Sequence, residues 1–189
     1  MSSTIVYPNG DGSKGGWTDD GGGTTNIYSK ISEGTASPND ANYVLTATPN
    51  DAVYFLLGDM PGDFGDATAV TIKIRAACSW AKTDWLQTLT ARLVQSDEST
   101  AITAVSSNIS TTETIATFSV SPTITGATGK SAWDGARLKI SSANETSGGI
   151  LYVYASQVEI NYTVGGGGGY PNGGQAMNTA ALLHAMGLD

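Results

Sequence analysis

Apolar and polar residues alternate with a period of two along most of residues 27–164, and nothing there holds a helical period for three turns. Such alternation turns one face of a strand toward a core and the other toward water. Ile72, Ile74 and Ala76 interleave with Thr71, Lys73 and Arg75, and Leu89, Ala91 and Leu93 with Thr88, Thr90 and Arg92. Near the end, Val158, Ile160 and Tyr162 interleave with Gln157, Glu159 and Asn161. Shorter strands are expected at 26–33, 42–48, 52–57, 102–108, 115–120, 137–142 and 150–154. Turn clusters such as Pro49-Asn50-Asp51 and Ser147-Gly148-Gly149 separate them and favour antiparallel connections over helical crossovers. The pattern predicts an all-β fold, an antiparallel β-sandwich or jelly roll over residues 26–164. Residues 1–25 are rich in Gly, Asp and Ser and read as an N-terminal arm or loop, with an edge strand at 4–7.

Five consecutive glycines at 165–169 end the alternation and open a linker over 165–174. The period then changes: 175–189 is rich in Ala, Leu and Met and reads as a short C-terminal helix with Gly187 at its C-cap. A helix of that length is marginal alone in water, so it is expected to dock by burying Met177, Ala180, Ala181, Leu183 and Met186.

Composition narrows the function classes. A net charge of −8, with 9 Lys and Arg against 17 Asp and Glu, argues against nucleic acid or an anionic membrane as partner. No segment approaches the run of about 18 apolar residues that a membrane helix needs, and residues 1–8 carry no signal-peptide core, so synthesis in a cytoplasm is expected. Cys78, the only cysteine, lies in an apolar run and reads as a small buried side chain. His184, the only histidine, stands without a Ser or Cys nucleophile or an acidic orienter nearby, and one His with one Cys cannot furnish a zinc site. No catalytic residue is therefore expected.

Three other groups carry candidate chemistry. Asp59, Asp63 and Asp66 gather hard oxygen ligands in one Gly-containing stretch and form a candidate calcium site, the sole cofactor the sequence suggests. Trp80 and Trp85 straddle a turn, where exposed rings stack on pyranose faces, and are candidates for glycan binding. Trp17 and Trp133 precede strands and are expected to pack as lids on the core.

One resemblance joins these features. Trp17, a Gly-rich turn, Ile27-Tyr28-Ser29-Lys30-Ile31-Ser32-Glu33, Asp40-Ala41-Asn42-Tyr43-Val44, Phe55-Leu56-Leu57-Gly58-Asp59 and the strand at 70–76 follow one another in an order that resembles jelly-roll structural proteins of tailed bacteriophages. The later half is similar to the same family through Phe118, Pro122, Trp133-Asp134-Gly135-Ala136-Arg137-Leu138 and Val158-Glu159-Ile160. The resemblance implies a non-enzymatic virion protein, foremost a capsid decoration or cement protein that binds the major capsid protein lattice and stabilises the head. Location on the capsid surface and a homotrimer suited to three-fold lattice positions are expectations of the same kind. A tail, fibre or adsorption component of the same fold, or a carbohydrate-binding jelly-roll module, are the alternatives. The glycine linker and helix depart from the family pattern and point to a docking arm.

Overall fold

The structure, a computed structural model, describes residues 1–79, 88–142 and 149–165. Two antiparallel sheets pack face to face as a β-sandwich of the jelly-roll kind. The first sheet contains β1 (Ser2–Val6), β3 (Thr18–Asp19), β4 (Val44–Thr46), β6 (Phe64–Cys78), β9 (Ala116–Val120) and β11 (Leu151–Val164). Its path runs β3-β4-β11-β6-β9, with β1 also paired to β11. The second sheet runs β2-β5-β10-β7-β8, from β2 (Pro8–Asp11), β5 (Ala52–Leu57), β10 (Arg137–Ser142), β7 (Thr88–Val94) and β8 (Ile109–Ser110). Helical structure among the described residues is limited to a 3₁₀ turn at Ile27–Lys30 and the single turn α1 (Lys130–Trp133).

The alternation in the sequence sets which side chains meet between the sheets. Ile72, Ile74, Leu89, Leu138, Ile140, Val153 and Ile160 are fully buried while their immediate strand neighbours are more exposed; Leu93 and Val158 are fully buried too, but beside the buried Val94 and Gln157. Trp17 and Trp133 are likewise inaccessible and belong to the same core cluster. Trp133 donates its indole N–H to the Ala127 carbonyl at 2.9 Å, and its ring meets Phe64, which stacks on Tyr162 with centroids 4.7 Å apart. Cys78 is buried at the end of β6.

Three segments differ from the sequence reading. Residues 1–25 are woven into both sheets: β1 pairs with β11 from Ser2↔Tyr162 to Val6↔Val158, and β2 pairs with β5. Glycine-rich composition suggested an arm, but backbone hydrogen bonds to two central strands hold the segment in place.

The stretch expected as a strand at 26–33 contains the 3₁₀ turn instead. Asn26 adopts a left-handed φ of 56°, and the Asp11 carboxylate accepts hydrogen bonds from the Ile27 and Tyr28 backbone N–H groups. Ile27 and Ile31, four residues apart, are both buried, a spacing that a helical turn serves as well as a strand does.

The strand expected at 102–108 is irregular. Ile102 and Thr103 both donate to the Leu93 carbonyl, while the Thr103 and Ser106 hydroxyls accept from the backbone N–H groups of Leu93 and Ala91. Side-chain oxygens here do the work of a strand's carbonyls.

Candidate functional site

β11 places consecutive side chains on opposite faces, so burying Leu151 and Val153 in the core turns Tyr152 and Tyr154 to the outer face of the six-stranded sheet. The adjacent strand pairs Tyr152 with Leu45 and Val153 with Val44. Extending that register by one residue sets Tyr43 opposite Tyr154. The three rings form one cluster: Tyr43 meets Tyr152 edge-on at 5.3 Å and Tyr154 at 5.5 Å, and Tyr152 lies 6.4 Å from Tyr154. All three are half-buried.

Arg75 borders the cluster from β6, where Ile74 and Ala76 point inward and force it outward. It grips Asp40 with two parallel hydrogen bonds, Nε to Oδ1 at 2.7 Å and Nη2 to Oδ2 at 2.6 Å. That hydrogen-bonded pairing holds the Asp40 carboxyl below its usual range and raises Arg75 above its own. Burial pushes the Tyr152 and Tyr154 phenols upward, reinforced by the neighbouring phenols. Both hydroxyls therefore keep their protons at neutral pH and can donate as well as accept. A cluster of mutually inclined aromatic rings, bearing hydroxyls and bordered by a guanidinium–carboxylate pair, suits a ligand with an apolar face and a hydroxylated rim.

The candidates from sequence fall elsewhere. Trp80 and Trp85 lie outside the described residues, as do His184 and the docking-helix residues Met177, Ala180, Ala181, Leu183 and Met186. The three acids proposed for calcium do not converge. Asp66 sits in β6 and accepts from the Thr128 hydroxyl at 2.8 Å, Asp63 accepts from the Tyr162 hydroxyl at 3.2 Å, and Asp59 is exposed. Among the described residues no three His, Cys, Asp or Glu side chains are grouped to hold a metal ion. Tyr152 and Tyr154 alternate with Leu151 and Val153 in the sequence, whereas Tyr43 joins them only through strand pairing.

No protein-family model matches the chain. No curated protein matches it either. Similar solved structures include a glycoside hydrolase family 43 arabinoxylan arabinofuranohydrolase from Bacillus subtilis, at 15% identity and a TM-score of 0.38 over 65% of this chain and 21% of that one. The CBM36-1 domain of a multidomain xylanase from the hindgut metagenome of Trinervitermes trinervoides is 9% identical, with a TM-score of 0.42 over 86% of this chain and 98% of that domain. The enzymatically active domain of bacteriophage CBA120 tailspike protein 4 is 12% identical, with a TM-score of 0.41 over 85% of this chain and 19% of that one. The chain thus spans about a fifth of the hydrolase and of the tailspike domain. At these identities and scores none of the three carries an argument about what this chain does.

Proposed function

We propose that the protein is a non-catalytic carbohydrate-binding jelly-roll module whose contact surface is the platform of Tyr43, Tyr152 and Tyr154 beside the Arg75–Asp40 pair. The observation that carries this reading is the cluster itself: three tyrosine rings gathered on the water-facing side of a sheet rather than in its core. Rings of that kind stack on the apolar faces of pyranoses, while phenols, guanidinium and carboxylate engage sugar hydroxyls. Binding alone suffices for this chemistry.

The test is calorimetric titration with a panel of neutral β-1,4-linked hexasaccharides of glucose, xylose and mannose. At least one is expected to bind, and Tyr152→Ala and Tyr154→Ala are each expected to weaken it by about tenfold or more without lowering the unfolding temperature by more than a few degrees. Failure of the whole panel, or equal affinity in both variants, refutes the reading.

A second reading, a virion structural protein that decorates the capsid, stands on the sequence resemblance along residues 7–164. Mass spectrometry of purified particles and isolated heads decides it: hundreds of copies retained on heads are expected of a decoration protein, and absence from both fractions removes it.

A further inference from the structure

The chain carries nine Lys and Arg residues, of which Lys82 alone lies outside the described residues. Lys14, Lys30, Lys73, Arg75, Lys130 and Arg137 each pair with a carboxylate. The remaining two, Arg92 and Lys139, have no acidic partner among the described residues, and they are direct cross-strand neighbours between β7 and β10. Both project from the outer face of the five-stranded sheet, because Ala91, Leu93, Leu138 and Ile140 fill its inner face. Like charges directly opposite each other on a sheet are unfavourable. Two adjacent cations without an acidic partner among the described residues suit an anion supplied from outside.

The surroundings define that anion. Arg92 and Lys139 line a groove of about 200 Å³ with Thr90, Ala91, Val105 and Ser141. Lys139 Nζ lies 5.1 Å from the centroid of the Tyr54 ring, and Val105 is 53% exposed. Over Val105 the groove meets a second depression of about 380 Å³ lined by Ser106, Ser107, Ser119, Ser121 and Thr123 among others. Positive charge is confined to one spot, and the track leading from it is hydroxylated.

A net charge of −8 repels a densely charged nucleic acid or an anionic membrane, whereas an occasional anion on an otherwise neutral, hydroxyl-rich polymer meets little of that repulsion. We infer that this groove binds a sugar-borne carboxylate or sulfate of an acidic polysaccharide. Arg92 and Lys139 hold the anion, Thr90 and Ser141 face the ring hydroxyls, and Tyr54 and Val105 supply apolar contact. The inference rests on the carbohydrate reading for the class of polymer, but it uses the opposite face of the sandwich from the tyrosine platform.

The full chain is titrated with trigalacturonate, its fully methyl-esterified form and a sulfated galactan oligosaccharide. At least one anionic ligand is expected to bind, with the ester about tenfold or more weaker than the acid if the carboxylate is the recognised group. Affinity should fall as salt rises. Arg92→Gln and Lys139→Gln should each weaken the bound acidic ligand about tenfold or more, with an unfolding temperature equal to or above that of the parent, since a like-charge contact is relieved. Tyr152→Ala should leave this binding intact. Equal binding of acid, ester and sulfate, or affinity unchanged in both Gln variants, overturns the inference, as does equally tight retention on single-stranded DNA or phosphatidylserine vesicles. Binding of neutral hexasaccharides with no response to either anion overturns the inference alone; silence toward every saccharide overturns the carbohydrate reading with it.

Discussion

Thr103 shows how one side chain can stand in for a strand. Its hydroxyl, fully buried, accepts the Leu93 backbone N–H at 2.9 Å, and its own N–H reaches the Leu93 carbonyl at 3.2 Å. Valine has nearly the same shape and no acceptor, so Thr103→Val leaves a buried donor unsatisfied. The expected cost is about 1–3 kcal/mol, read from the urea midpoint. The exposed Thr117→Val is its control, expected within about 0.5 kcal/mol of the parent. Asp11 works similarly at a distance, anchoring the Ile27 and Tyr28 N–H groups from another part of the chain. Neither role is visible in a hydrophobic pattern, because both depend on a polar atom meeting a backbone group far away in sequence.

Among the elements, β6 and β11 form the spine of the six-stranded sheet, paired from Leu151↔Cys78 to Val164↔Phe64. Their register shifts between Val153 and Ala155, so Tyr154 stands at an irregularity. Bulges of this kind bend a strand locally, while the regular pairing of β11 with β4 on its other side keeps Tyr154 within reach of Tyr43. Loops tie the ends of the five-stranded sheet together as well: Glu98, at a left-handed φ of 61°, accepts from both the Ser13 backbone N–H and the Arg137 guanidinium. The strands at 52–57 and 137–142 were legible to the residue because their burial alternates cleanly, while 102–108 was not, because Ile102 and Thr103 are buried side by side.

For the molecule as a whole, acid is the condition that should expose its electrostatics. Hydrogen bonds from the Thr100 hydroxyl and from the Thr100 and Ser99 backbone N–H groups hold the Asp97 carboxyl far below the usual carboxylate range, and Arg75 lowers Asp40. A carboxyl depressed in the folded state contributes stability that is present above its unfolded value of about 4 and is lost as pH falls through the folded value. The unfolding temperature is therefore expected to drop as pH is lowered from about 4 toward 2, and less steeply in Asp97→Asn, as measured by calorimetry. Negative self-repulsion cannot cause that drop, because the net charge is already near zero at the isoelectric point of about 4.4.

The alternating pattern by itself determined that the chain is all-β and which faces of its long strands are buried. Those are local properties: a strand's period of two assigns each residue to a face without knowing its partner. Only the tertiary structure decided that residues 1–25 pair into both sheets, that Asp59, Asp63 and Asp66 do not converge, and that Tyr43 joins Tyr152 and Tyr154. It alone set Arg92 beside Lys139. Such neighbourhoods are made by register between strands tens of residues apart, and a shift of one residue would turn each of these side chains to the other face.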